Sequence, residues 1–333
     1  EFLDTLSTTR GRYHKIIWDV NRPNRVIIAL TGHGSVSSVS VVTIGGTAGN
    51  ETFTRTVDRQ QVGSDLPYGN PDNETGPQLK HLGTTGDNYL WVYHYNGSTS
   101  RYHIFSVESG SVTARVQNQT FWGDSSGTAA NFDIDPDGNY GMAVLSKSNY
   151  WWMKSITVNN ANATNVSISF ANEQYVIQSG STYRVSSGYS GSINYVGPGQ
   201  FVVGHSTNNS SGHGGSHERK AVYKVIKWDN NSTFTKSASF FHRPAEVTAI
   251  NSSPERSHYT LRNHKANPTV LYALVSWNTA PSYYMYGYRV VVDVDANSLT
   301  FSATTSSDAM RGSWWAVDVQ NDLDSTILWY REN

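Results

Sequence analysis

The sequence predicts an all-β protein built from repeated four-stranded antiparallel sheets, and three observations lead to this prediction. Residues 131–170 contain four short runs rich in β-branched and aromatic residues, joined by turns of Asn, Asp, Gly and Pro. Runs of this kind separated by turn residues are typical of consecutive antiparallel strands. Similar copies of the second run recur at intervals of about 60 residues, and the third and fourth runs recur with them.

The copies of the second run share a short apolar stretch, and they lie at Arg25 to Gly32, Tyr89 to Asn96, Tyr140 to Lys147, Gln200 to Thr207, Thr269 to Ser276 and Ser325 to Glu332. We align them on Ala29, Tyr93, Val144, Gly204, Ala273 and Trp329. One four-stranded sheet has two faces to bury and buries neither alone, so such repeats pack face to face around an axis. The sequence therefore predicts a six-bladed β-propeller of four-stranded antiparallel blades.

We expect residues 1–333 to form a single propeller domain. The predicted blades span about 11–58, 79–121, 127–172, 191–241, 246–305 and 311–333. The last blade has only two predicted strands, at Ser313 to Val319 and Thr326 to Arg331. Because a closed ring hides the edges of its sheets, we expect residues 1–10 to complete this blade. Position 1 is not Met, so we also expect the chain to be part of a longer product.

The composition argues against several classes of protein. The 333 residues are 37% hydrophobic, which is enough for a core, and no segment approaches the roughly 18 apolar residues that span a bilayer. The 25 basic and 26 acidic residues nearly balance, without the Lys/Arg clusters that bind phosphates. The chain has no cysteine, which excludes disulfides and thiolate metal sites. We therefore expect no nucleic acid partner, no membrane insertion and no cofactor.

Aromatic residues in the long connections are the candidate ligand-binding residues. The longest predicted connections, at 59–78, 205–218, 242–258 and 277–286, belong to the loop classes that emerge at one end of a propeller, where binding residues are most economically placed. In or beside these loops lie Tyr68, Trp122, Tyr150, Trp277, Tyr283 and Tyr284. Flat rings beside amides and hydroxyls suit a sugar. The alternative is that these rings pack within the blades, because aromatics dominate β cores.

Two segments contain residues that bind metals in other proteins. His205, His213 and His217 fall within one predicted loop, and imidazole is the commonest metal ligand. Their spacing matches no known signature, and a Gly/Ser/His loop is more often solvated, so we predict no metal. Residues Asp135 to Asn139 resemble part of a calcium loop but lack its later bidentate Glu. We predict a hairpin turn there.

The sequence gives little support to catalysis. It has no Gly-x-Ser-x-Gly motif and no phosphate loop. Repetition places equivalent residues in every blade, whereas an enzyme needs an asymmetric set of groups. We therefore expect no catalytic residues and no enzyme activity. The alternative, a glycoside-processing propeller, would need two facing carboxylates within about 10 Å.

Asn-x-Ser/Thr triplets are more frequent than chance predicts, which favours a glycosylated extracellular protein. The candidate glycosylation sites are Asn50, Asn73, Asn96, Asn118, Asn162, Asn208, Asn231 and Asn251, and further triplets begin at Asn165, Asn209 and Asn230. The alternative is that Asn, Ser and Thr are simply the turn residues of a β protein.

The blade pattern resembles the repeats of tail-fibre and appendage proteins of marine tailed bacteriophages. The residues that carry the resemblance are Phe132 to Ser146 and Asn165 to Phe170, with weaker similarity at Tyr13 to Leu30 and Val290 to Phe301. The resemblance implies a virion-surface propeller that contacts a host-cell receptor. Together these observations predict a non-enzymatic recognition or adhesion module, outside the cell or on a virion, that binds a glycan or glycosylated receptor. The alternative is a structural protomer that assembles with copies of itself into an extracellular fibre or virion appendage.

Overall fold

The structure is a computed structural model, and it describes residues 13–33, 36–47, 49–64, 78–95, 99–123, 130–147, 150–177, 192–206, 221–228, 234–237, 240–242, 253–264, 267–279, 282–302, 305–307, 315–320 and 325–330. These residues form 24 strands in six antiparallel sheets, joined by turns. The described part of the chain contains no helix long and apolar enough to cross a membrane.

The first three sheets each have four strands in chain order. Sheet 1 consists of β1 (Tyr13–Trp18), β2 (Arg25–His33), β3 (Val36–Thr47) and β4 (Asn50–Gly63). Sheet 2 consists of β5 (Gln78–Leu82), β6 (Asn88–Tyr95), β7 (Thr99–Glu108) and β8 (Ser111–Trp122). Sheet 3 consists of β9 (Asn131–Ile134), β10 (Tyr140–Lys147), β11 (Tyr150–Asn159) and β12 (Ser167–Ile177).

The remaining sheets follow the same order, but the fourth strand of sheets 4 and 5 is broken into two. Sheet 4 consists of β13 (Ser192–Gly197), β14 (Gln200–Ser206), β15 (Ala221–Trp228), β16 (Phe234–Lys236) and β17 (Phe240–His242). Sheet 5 consists of β18 (Ser253–His264), β19 (Asn267–Thr279), β20 (Ser282–Asp293), β21 (Ser298–Phe301) and β22 (Thr305–Ser307). Sheet 6 consists of β23 (Trp315–Gln320) and β24 (Ser325–Tyr330).

The predicted fold class is confirmed for the described residues, which form antiparallel meanders of the β-propeller type. The number of blades stays a prediction. Each of the six sheets overlaps one predicted blade, although several strands extend past the predicted bounds, as β4 does to Gly63 and β12 to Ile177. Residues 1–10, which we expected to complete the last blade, lie outside the described residues, so that expectation stays a prediction.

The same backbone hydrogen bond recurs in four sheets. The residue just before the second strand accepts it through its carbonyl oxygen, and an amide near the end of the third strand donates it. The donor and acceptor pairs are Ile44 and Asn24, Val107 and Asp87, Val158 and Asn139, and Trp228 and Gly199, at 2.7–2.9 Å. The sheets are therefore copies of one unit in a common register.

A local irregularity of the fourth strand is also repeated. Arg59, Asn118 and Asn172 in the first three sheets have positive φ values of 48°, 54° and 58°. In sheets 1 and 2 the pairing with the third strand shifts close to this residue, which is the arrangement of a β-bulge. Its amide is held by a side chain of the third strand, Ser40 in sheet 1 and His103 in sheet 2.

The chain forms two compact units. In the first unit, the facing sides of sheets 1 and 2 form one apolar core. Its members are Ile27, Ala29, Val39, Val41, Val57, Val62, Leu79, Tyr89, Trp91, Tyr93, Phe105, Val107 and Val112. Face-to-face burial of this kind is what a four-stranded sheet needs for stability.

In the second unit, the facing sides of sheets 4 and 5 form a core in the same way. Its members are Val196, Val202, Ala221, Tyr223, Val225, Leu271, Ala273, Tyr288, Val290, Val292 and Leu299. The hydroxyl groups of Tyr223 and Tyr288 form a hydrogen bond inside it. A polar contact is therefore satisfied within an otherwise apolar interface.

In three sheets, the side chain of the first residue of the second strand donates hydrogen bonds to the next sheet. We name the residue at this position the clamp residue. Arg25 donates to the carbonyl oxygens of Val107 and Glu108 at 3.0 and 3.3 Å. Asn88 donates to those of Ala161 and Ala163 at 2.8 and 2.9 Å, and Gln200 to that of Val294 at 3.0 Å. All the acceptors lie at the end of the third strand of the following sheet or in the turn that follows that strand. Neighbouring sheets thus share a polar contact as well as an apolar core.

The structure corrects the bounds of predicted connections, and the one at 242–258 ends earlier because β18 begins at Ser253. The loop predicted at 59–78 begins later, because β4 continues through the positive-φ residue Arg59 to Gly63. The loop predicted at 277–286 is mostly strand, because β19 and β20 pair up to Thr279 and Ser282. Alternating aromatic residues have high strand propensity, which favours this hairpin over a long loop.

Replacing Asn88 by Ala tests the clamp. The side chain is 3% exposed, and its loss leaves two carbonyl oxygens without their donor. We expect the free energy of unfolding, measured by urea denaturation, to fall by about 2–3 kcal/mol. The matched control is Asn165→Ala at an exposed turn position, which should change it by less than about 0.5 kcal/mol. Equal effects of the two substitutions would contradict the role of Asn88.

Candidate functional site

The register of the β19–β20 hairpin decides which aromatic residues at its end lie on the same face of the sheet. Trp277 pairs with Tyr284, and Asn278 pairs with Tyr283. Because successive residues of a strand alternate between faces, Trp277 and Tyr284 belong to one face and Asn278 and Tyr283 to the other. On the neighbouring strand, Pro254 pairs with Trp277. The structure therefore brings together two of the predicted ligand-binding residues and separates Tyr283 from them.

The other predicted ligand-binding residues do not join this pair. Trp122 ends β8 and is 3% exposed, so its ring packs within the sheet and does not offer a surface to a ligand. This matches the alternative of a blade-packing residue. Tyr150 is the first residue of β11, and Tyr68 lies outside the described residues.

An exposed aromatic residue that the sequence analysis did not single out lies on β1. Trp18 is 58% exposed, and Ile16 on the same strand is 45% exposed. Residues two apart on a strand share a face, so the two side chains form an apolar strip. No sequence pattern marked it, because alternating apolar residues on a first strand are the usual sign of a buried face.

The histidine and aspartate segments have no metal-binding arrangement in the part of the chain that is described. No group of three or more His, Asp or Glu residues there is placed to hold a metal ion. His205 lies on β14 opposite Val222, and His213 and His217 are outside the described residues.

The hairpin turn predicted at Asp135 to Asn139 is confirmed. Asp135 accepts hydrogen bonds from the amides of Asn139 and Tyr140 at 2.7 and 2.8 Å, and its own amide donates to Tyr140 O. Burial raises the pKa of Asp135, and these two amides oppose the rise. Gly138 has a φ of +69°, and a Cβ there would meet the backbone of Gly83.

The described glycosylation candidates differ in how their side chains are used. Oδ1 of Asn162 accepts hydrogen bonds from the backbone amides of Thr85 and Gly86 at 3.1 and 2.8 Å. Nδ2 of Asn118 donates a hydrogen bond to Ser64 Oγ at 2.8 Å. A glycan on either side chain would disturb these contacts, whereas Asn50 is exposed at the start of β4. Asn73, Asn96, Asn208, Asn231 and Asn251 lie outside the described residues.

Two carboxylates lie close together in the first unit. Nη1 of Arg22 lies 2.7 Å from Oδ1 of Asp87 and 3.6 Å from Oδ2 of Asp19. The hydrogen bond from Arg22 lowers the pKa of Asp87, and burial opposes this shift. Asp87 therefore stays ionised, whereas glycoside cleavage needs a general acid with a raised pKa.

The buried side chain of Asp19 is enclosed by structural partners. It accepts hydrogen bonds from Arg25 Nε and from the Tyr89 hydroxyl at 2.5 and 3.0 Å. Burial, followed by the neighbouring charge of Asp19, raises the pKa of Tyr89, which keeps this hydroxyl protonated as a donor. Together these contacts make the carboxylate pair part of an ion-pair network that joins two turns.

Lys154 on β11 is a buried ionisable residue that the sequence analysis missed. It is 6% exposed, and burial lowers its pKa to about 7, although the carboxylate of Glu173 opposes this shift. Perturbed pKa values of this kind are enriched at functional sites. Sequence pattern gave no signal, because a lysine within a run of strand residues is ordinarily exposed.

The pKa of Lys154 predicts a pH-dependent stability. Between pH 7 and about 10 the unfolded chain binds the proton that the folded chain has lost, so stability rises with pH in this range. Lys154→Met removes the cost of a buried charge. We expect it to raise the free energy of unfolding at pH 6 by about 2–4 kcal/mol, with little effect at pH 10.

The control for this experiment is Lys227→Met, at an exposed position on β15. It should give the same small effect at both pH values. A Lys154→Met effect that does not change with pH, measured by urea denaturation, would show that the lysine is not buried as described.

No protein-family model and no curated protein sequence matches the chain. Solved structures do match it, with low identity. An α-L-arabinofuranosidase from Clostridium thermocellum is 9% identical, with 91% of this chain and 96% of that chain covered and a TM-score of 0.41. An α-L-arabinanase from Penicillium chrysogenum is 9% identical, with 90% and 94% covered and a TM-score of 0.45. The BP39L lectin from Burkholderia pseudomallei is 8% identical, with 90% and 97% covered and a TM-score of 0.43.

The prediction that the chain is not an enzyme is wrong by this comparison, because several of the matched structures are arabinofuranosidases and arabinanases. The physical flaw lies in the assumption that repeated sheets carry repeated chemistry. The residue that binds the bulge amide is Ser40 in one sheet and His103 in the next. The resemblance to phage tail-fibre repeats and the extracellular or virion location stay predictions.

Proposed function

We propose that the chain recognises a glycan through the end of the β19–β20 hairpin. The observation that carries the proposal is the register that pairs Trp277 with Tyr284, one residue before the paired Asn278 and Tyr283. Cross-strand aromatic pairs interact on one face of a sheet, and flat aromatic rings suit the C–H face of a sugar.

The paired aromatic residues lie near the end of the hairpin, since β19 and β20 pair up to Thr279 and Ser282. Sugar recognition is required both of a lectin and of a glycoside hydrolase, so the proposal concerns the step that the two activities share.

The test is a glycan array of plant, fungal and bacterial polysaccharides probed with the full chain and its variants. Trp277→Ala and Tyr284→Ala should each weaken binding by at least about tenfold, because each removes part of the stacking surface. Tyr283→Ala should weaken it less, because Tyr283 belongs to the other face. Melting temperatures should stay within about 3 °C of the unsubstituted chain.

The matched control is Trp18→Ala, which removes an exposed tryptophan on a different sheet and should leave binding unchanged. Chromatography of the bound glycans after incubation separates simple binding from cleavage. Equal losses for Tyr283→Ala and Tyr284→Ala, or binding that survives Trp277→Ala, would contradict the proposed surface.

A further inference from the structure

Two lysines lie on the same face of sheet 4. Lys236 on β16 pairs directly with Ile226 on β15, and Lys224 is two residues from Ile226 on that strand. Residues two apart on a strand share a face, and directly paired residues also share a face. Lys224 and Lys236 are therefore both on the face of Ile226. Val225, which lies between Lys224 and Ile226 on β15, contributes to the core with sheet 5 on the opposite face.

Both lysines are half-buried, and no ion pair joins either of them to an acidic residue of the described chain. Nζ of Lys236 donates a hydrogen bond to the backbone carbonyl oxygen of Tyr175 on β12. Burial lowers the pKa of both lysines, and the charge of Lys224 lowers that of Lys236 further. Two like charges are thus held near each other in a partly desolvated position.

This arrangement is unfavourable unless something compensates it. Half-buried cations lose hydration and repel each other, and an anion between them reverses both effects. Carboxylate and sulfate oxygens accept charge-assisted hydrogen bonds from ammonium groups, which are the stronger kind. Tyr175, whose carbonyl oxygen holds Lys236, also packs its ring on Trp152 with ring centroids 4.0 Å apart. Lys236 therefore contacts one member of an aromatic pair.

We propose that Lys224 and Lys236 form a binding site for an oxyanion, the carboxylate or sulfate group of an acidic sugar. The site lies at the third and fourth strands of sheet 4 and is separate from the Trp277–Tyr284 pair of sheet 5. The inference rests on the proposed glycan recognition and adds the class of glycan, one that carries negative charge.

The test measures thermal unfolding of the full chain with D-glucuronate, sodium sulfate or D-glucose at matched ionic strength. Glucuronate and sulfate should raise the melting temperature of the unsubstituted chain by a few degrees through binding to the folded state, and glucose should not. The shift should disappear in Lys224→Met/Lys236→Met and persist in Lys224→Arg/Lys236→Arg. It should also persist in Lys227→Met, which removes an exposed lysine of the same strand.

Sulfate also stabilises proteins non-specifically, so the informative quantity is the difference between the unsubstituted chain and the double Met variant in the same salt. Without added oxyanion, the double Met variant should melt at a higher temperature than the unsubstituted chain, because the repulsion is gone. Equal anion-induced shifts in the two proteins, or a sulfate shift without a glucuronate shift, would overturn the proposal.

Failure of this inference is distinguishable from failure of the proposed function. The anion-induced shift should be unchanged in Trp277→Ala. If the array shows glycan binding but the lysine variants behave like the unsubstituted chain, the oxyanion site alone is wrong. If the array shows no binding and the lysine-dependent glucuronate shift remains, the hairpin surface alone is wrong.

Discussion

One backbone hydrogen bond sets the register on which the rest of the fold depends. It joins the residue before the second strand to an amide near the end of the third strand, and it recurs in sheets 1 to 4 at nearly the same length. Because side chains alternate along a strand, fixing this bond decides which residues face the preceding sheet and which face the next. It also fixes the place of the clamp residue, whose side chain reaches the next sheet.

Within this constant backbone frame the side-chain chemistry varies. The clamp residue is a guanidinium in Arg25 and an amide in Asn88 and Gln200, yet each donates to a turn of the following sheet. Interchangeable donors suffice because the acceptors are backbone carbonyl oxygens, which every sequence supplies. Conserving backbone geometry while varying side chains lets one blade carry an aromatic hairpin end and another a pair of lysines. Repetition of the fold therefore does not impose repetition of function.

The sequence predicted much of the fold but little of the site. Turn residues and strand propensities located the sheets because both are local properties, as the confirmed Asp135 turn shows. The alignment of the repeats is shifted by one residue between sheets 1 and 2. It matched Ala29 with Tyr93, but these residues point toward each other in the core between the two sheets, whereas equivalent residues of two repeats would point in the same direction. The pairing of Trp277 with Tyr284 and the contact of Lys236 with Tyr175 depend on strand register and on contacts between sheets. Neither is encoded in a local pattern.

Hydrogen exchange measures the common register most directly. The amides of Ile44, Val107, Val158 and Trp228 each donate the recurring bond. If the register is right, these four amides should exchange at least about 10³-fold more slowly than amides of exposed turn residues, as expected for bonds that open only with their sheet. Exchange of any of the four at the rate of the exposed turns would contradict the common register and, for Trp228, the assignment of faces in sheet 4 on which the proposed oxyanion site rests.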